Sequence, residues 1–133
     1  MLLQLHEWGD PGAPPVVCVH GVNAHGRRFR RLAEERLADR YRVLAPDLRG
    51  HGGSEWDPPW TIATHVHDLL ETVDDAGVRG ADWVGHSFGG RLVLEWRLAA
   101  RRSGCGHVNA CSSGRFDTSE YASGTRRLQG WER

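Results

Sequence analysis

Short, predominantly apolar runs alternate along residues 1–100 with longer stretches in which apolar positions recur every three or four residues. Val16-Val17-Cys18-Val19, running into His20-Gly21, is apolar at consecutive positions. Such a run buries both of its faces and predicts a core strand of a parallel sheet. Residues 41–46 (Tyr-Arg-Val-Leu-Ala-Pro) and 81–86 (Ala-Asp-Trp-Val-Gly-His) predict a second and a third. Residues 2–8 alternate weakly, as an edge strand does, and the Gly- and Pro-rich residues 9–15 form a loop. Between the strands, residues 27–39 place Phe29, Leu32, Ala33 and Leu37 on one face among charges, which predicts an amphipathic helix. A second helix is expected over about 62–76, with Ile62, Val66, Leu69, Leu70 and Val73 inward, Thr61 as its N-cap and Gly77 as its stop. A third covers 89–100. Strands joined by helices are crossover units, and crossovers build parallel sheets.

In an open parallel sheet, ligands sit outside the carboxyl ends of the strands. Here those ends carry His20-Gly21, the Gly-rich loop 47–54, and Gly85-His86-Ser87-Phe88-Gly89-Gly90. The last contains Gly-x-Ser-x-Gly, the pattern of a nucleophile elbow. A sharp strand-to-helix turn holds a serine hydroxyl out of the backbone, where it can attack. Side chains at Gly85 and Gly89 would crowd that turn. The first amides of the following helix, beginning with Phe88, point toward any oxyanion formed there. A glycine-rich turn with an idle serine has the same five letters. The meeting of three such loops on one edge favours the functional reading.

With these residues in view, the sequence resembles the α/β-hydrolase superfamily, among members with a short glycine-rich oxyanion loop. Three motifs match in order and spacing: the apolar strand into His20-Gly21; Asp47-x-Arg49-Gly50-x-Gly52-x-Ser54; and Gly85-His86-Ser87-Phe88-Gly89-Gly90. The resemblance covers about residues 1–100, the N-terminal half of that fold. It implies a partial α/β-hydrolase fold, a mostly parallel sheet with flanking helices that lacks the C-terminal strands and lid. It also implies that Ser87 is the nucleophile, that the backbone N–H groups of Val22 and Phe88 form the oxyanion hole, and that His20, Gly21, Gly85, His86 and Gly89 shape the elbow and its facing loop. Asp47, Arg49 and Gly50 brace the neighbouring loop. Relatives that open epoxides or displace halide resemble this pattern with Asp at the elbow. A serine implies acyl chemistry on esters, lactones, thioesters or activated amides, without cofactor or metal.

The family's acid and base follow the nucleophile on later strands. After Ser87 the only histidine is His107, too early to match. His86 adjoins Ser87, but neighbouring strand side chains point to opposite faces. His20 and His51 lie on the active edge, where structuring the loops is the expected role. Asp117 and Glu120 are tail carboxylates, expected to be solvated. Residues 101–133 are dominated by Arg, Ser and Gly, with only Val108 and Leu128 as Val, Ile or Leu. That composition buries too little to offset chain entropy, although 107–111 has the makings of a poor strand. The expectation is a hydrolase half-domain over 1–100 and an irregular tail over 101–133, produced by truncation or a frame shift. The strand near 82–86 is then an open edge, prone to self-association.

Composition narrows the rest. The 133 residues suit one domain, and 17 basic residues balance 17 acidic ones, so nothing favours nucleic acid or an anionic membrane. Three cysteines with no framework spacing suit a reducing compartment, with Cys18 buried and Cys105 and Cys111 free. The N-terminal residues lack the charged and apolar regions of a signal peptide, and the expected location is the cytoplasm. His65-x-His67-Asp68 falls on a helix, where residues two apart do not share a face, so no metal is expected. Two functions remain open. One is a serine hydrolase that attacks a small acyl substrate through Ser87, impaired here for want of an identifiable base. The other is a non-catalytic remnant or interaction module that keeps the half-fold without a triad. A usable base distinguishes them.

Overall fold

The computed structural model describes residues 1–102, with side chains through residue 99. The expected strand at 107–111, and His107, Asp117, Glu120, Cys105 and Cys111, lie outside the described residues.

Four strands form one sheet in the order β1 (Leu5–Trp8), β3 (Arg42–Pro46), β2 (Pro15–Val19), β4 (Asp82–Gly85). Strand β2 runs parallel to both neighbours, with Val16 opposite Val43 and Val17 opposite Trp83. Strand β1 lies antiparallel on β3, with Leu5 opposite Pro46, and is the expected edge strand. Strand β4 pairs only with β2 among the described residues, and Val84 there is exposed.

The consecutive apolar residues of β2 serve two cores because successive side chains leave a strand on opposite faces. Val17 and Val19 join Leu44, Leu48, Val73 and Trp83 under helices α2 (Ile62–Asp75) and α3 (Phe88–Arg102). Val16 and Cys18 join Ala33, Val43 and Ala45 on the other face. Each fully buried Val or Leu contributes about 1.5–3 kcal/mol relative to exposure. Burial pushes the Cys18 thiol up to about 12, so it is a packing residue and not a nucleophile.

Helix α2 starts where the sequence places it. Thr61 is extended (φ −80°, ψ 156°), and its hydroxyl accepts a hydrogen bond from the Thr64 N–H at 3.1 Å. Such a cap is worth about 1 kcal/mol. The helical stretch 26–37, α1, departs from the expected regular amphipathic helix. It passes from a 3₁₀ turn (Gly26–Phe29) through one α turn (Arg30–Leu32) to a π turn (Ala33–Leu37). The changing pitch breaks the 3.6-residue register. Ala33 is buried, with Phe29 and Leu37 packed beside it, while Leu32 turns to solvent at 43% exposure.

Candidate active site

Ser87 follows β4 and precedes α3 with φ 55°, the only non-glycine in the left-handed region among the described residues. That conformation is unfavourable for a residue with a Cβ, and here the flanking contacts impose it. The His86 N–H donates to the Val19 carbonyl at 2.9 Å, holding the turn against β2. A methyl group at Gly85 would lie 2.5 Å from the Gly90 backbone, and one at Gly89 would overlap the Val19 carbonyl oxygen. Strand and helix therefore meet backbone to backbone, and the serine at their junction is exposed. No hydrogen bond to its hydroxyl is present among the described residues.

The loop after β2 stands opposite. A methyl group at Gly21 would be 3.2 Å from Ser87 Cβ and 3.2 Å from His86 Nδ1. His20 is buried, and its ring fixes that loop. Its Nε2 accepts from the Leu48 N–H at 2.9 Å, so Nδ1 carries the proton and donates to the Gly21 carbonyl at 2.8 Å. In a trans peptide the N–H points opposite to the carbonyl. Pinning the Gly21 carbonyl thus turns the Val22 N–H away from His20. His51 contacts the next carbonyl, with Nε2 2.5 Å from Val22 O and Nδ1 2.9 Å from Arg49 O. Phe88, the first residue of α3, packs edge-on against His65 at 5.4 Å between ring centres. Both ring nitrogens of His20 are thus committed to backbone partners, and both of His51 face backbone carbonyl oxygens.

Burial holds the His20 ring below the usual histidine range, against the raising effect of its bond to Gly21. The unfolded ring takes up a proton near pH 6.5, about its ordinary pKa. The unfolded state then binds more protons, so stability falls as pH drops through that window. We expect the urea midpoint to decline between about pH 7 and pH 5, and His20→Gln to flatten that decline; an unchanged slope in the variant would assign it to other groups.

Two carboxylates anchor the loop after β3. Asp47 is buried, which raises its pKa, but the N–H groups of Gly53 (2.8 Å) and Gly26 (2.6 Å) and the His6 ring (3.1 Å) outweigh this and leave it below the usual range. Arg49 crosses to α2. Its Nε and Nη2 donate to Asp68 Oδ2 and Oδ1 at 2.6 and 3.0 Å, and Nη1 donates to the Asp57 carbonyl at 2.6 Å. Burial opposes ionisation of Asp68, and its bonds to Arg49 and the Met1 amino group prevail, so its pKa is also lowered. Gly50 (φ 73°) sits beneath Trp60, 2.7 Å from where a Cβ would stand. His67 and Glu71 bring further ligand-type atoms near Asp68, but both Asp68 oxygens are already occupied by Arg49. A hollow of about 470 Å³ lies toward β1, walled by His6, His25, Arg27 and Asp47, and does not include Ser87.

The elbow, the facing loop and the braced third loop all fall within the match to a known protein family. Its sequence model, described as the alpha/beta hydrolase family, fits residues 16–132. The chain belongs to the alpha/beta hydrolase family. As a hydrolase-family member it has relatives of differing chemistry. It is 41% identical over 104 residues to Lipase LipV of Mycobacterium tuberculosis, a match covering 77% of this chain and 38% of LipV. It is 39% identical over 95 residues to Epoxide hydrolase A of the same organism, covering 68% of this chain and 29% of that protein. A solved structure titled as a marine microorganism esterase superposes with a TM-score of 0.69 at 27% identity, over 76% of this chain and 38% of that one. The chain thus spans well under half the length of these relatives. Its fold is a partial alpha/beta hydrolase fold, a mixed four-stranded sheet with flanking helices. No helix among the described residues is long and apolar enough to cross a membrane.

Sequence reasoning missed Asp68, His6, and the tie from His51 to Val22. Asp68 carries a faint signal. It flanks the apolar stripe of α2 beside Leu69, and an acid so placed needs a buried cation. His6 and His51 reach partners 41 and 29 residues away, which no local pattern records.

Proposed function

We infer that this chain carries the nucleophile and oxyanion half of a serine hydrolase acting on an ester or related acyl bond. The observation that carries this reading is Ser87, held at φ 55° and facing the Gly21–Val22 loop. Ser87 Oγ bonds to the acyl carbon and gives its proton to a base. The carbonyl oxygen, now negative, accepts from the N–H groups of Val22 and Phe88. Collapse breaks the bond to the leaving oxygen or sulfur, which takes a proton, and water then hydrolyses the acyl-enzyme. The relatives named lipase and esterase support an ester substrate. The likeness to an epoxide hydrolase weighs less, because the elbow holds serine where epoxide-opening relatives place aspartate.

The second reading, a non-catalytic module, draws on His20 and His51. His20 has no ring nitrogen to spare for Ser87, and both nitrogens of His51 face backbone carbonyls. The first reading therefore needs a base other than His20.

Covalent labelling by a fluorophosphonate probe tests the proposal. The chain is expected to label slowly, and Ser87→Ala not at all. A folded chain that never labels would leave the elbow as scaffold and favour the module.

A further inference from the structure

Both ring nitrogens of His51 face acceptors. Arg49 O and Val22 O are both carbonyl oxygens, so each bond requires an N–H from the ring. A neutral imidazole has one N–H and the imidazolium has two. The bond to Arg49 spans two residues within one loop, whereas the bond to Val22 is a tie between the two loops. The ring lies edge-on to His20, 5.1 Å between centres, and His20 holds the preceding carbonyl of the same loop. Two adjacent imidazoles thus pin two successive carbonyls, and they differ in proton count. His20 needs one proton because its other nitrogen accepts from Leu48.

We propose that His51 is a positioning residue for the oxyanion loop whose protonation sets how firmly Val22 is held. This rests on the reading of Val22 as an oxyanion donor. The imidazolium donates to both carbonyls and fixes the Val22–Asn23 peptide, so Val22 is held on both sides, its own N–H lying in the Gly21–Val22 peptide that His20 pins. The neutral ring must release one of them. On the loop after β2, His20 accepts from the Leu48 N–H and His25 is a further histidine. On the loop after β3, Asp47 is taken by Gly26, Gly53 and His6, and Arg49 by Asp68. No carboxylate pairs with His51 among the described residues.

The test compares fluorophosphonate labelling rates of the full chain, His51→Phe and His51→Gln across about pH 5–8, the range in which histidines titrate. Removing a whole oxyanion donor costs roughly 10²–10³-fold. Loosening one is expected to cost about tenfold, seen as a wild-type to His51→Phe ratio that is largest at the acid end and shrinks as pH rises. His51→Gln, whose amide donates at every pH, should restore the acid rate and lose the pH dependence of the ratio. A ratio that is constant with pH, or equal to one, overturns the proposal. Absence of labelling at every pH defeats the nucleophile reading instead. The His51 claim is then read from amide NMR of the unmodified chain. The Asn23 N–H, in the peptide of the Val22 carbonyl, must shift with the same midpoint as the His51 ring; an Asn23 signal indifferent to that titration overturns it.

Discussion

Gly89→Ala is expected to abolish fluorophosphonate labelling of Ser87 and to lower the unfolding free energy by about 3 kcal/mol, at the upper end of ordinary overpacking. The added methyl carbon would overlap the Val19 carbonyl oxygen and stand 2.7 Å from that of His20. Both oxygens belong to backbone at the end of the central strand β2, so no side chain can swing aside. Relief requires α3 to lift off the sheet, which withdraws Phe88 and Ser87 together. Gly77→Ala is the control. Gly77 has φ 70° with nothing within 4 Å of a new Cβ, so only left-handed strain remains, about 1–2 kcal/mol. Urea unfolding of both variants, with labelling measured below the transition, separates the two causes. Equal losses in both would mean that the contact with β2 is not what confines the elbow.

Arg49→Met is expected to cost about 3 kcal/mol, at the low end of the range for breaking a buried ion pair. Asp68 is 1% exposed and Arg49 is 6% exposed, so water cannot replace the lost partner. The low end applies because the Met1 amino group lies 2.9 Å from Asp68 Oδ1 and leaves one cation in place. The double replacement Arg49→Met with Asp68→Leu should recover much of the loss, since an apolar pair of similar volume carries no desolvation penalty. A double-mutant cycle in urea measures the coupling. Additive losses would show that the bidentate geometry contributes nothing beyond packing. Asp68 also predicts acid sensitivity of the same brace: with its pKa lowered, its contribution persists above the usual carboxylate range and is lost as pH falls below about 3.9.

What could be read from the sequence divides along a physical line. Helix α2 was legible because a 3.6-residue apolar period, a capping threonine and a terminal glycine agree over one contiguous segment. The parallel arrangement followed from alternation of elements, and the candidate site from the fact that three unusual loops must share one edge of such a sheet. Helix α1 was misread as regular because the period of Phe29, Leu32, Ala33 and Leu37 fits an α-helix, while pitch is decided by packing against β3 and by the tight seat of Gly26 beneath the Ala45 carbonyl. In the site, Ser87 announces itself through its glycines. His20 and His51 do not, because an imidazole's role depends on which of its nitrogens meets a donor, and those partners lie 28 and 29 residues along the chain.

The sheet order has a consequence for synthesis. Strand β2 is complete early, yet its partner β4 lies far along the chain, Val17 meeting Trp83. At about 5–20 residues per second, a growing chain carries β2 with one bare flank for several seconds before β4 emerges. The apolar flank meets solvent or chaperone first, and the turn that presents Ser87 closes only once β4 has paired with β2.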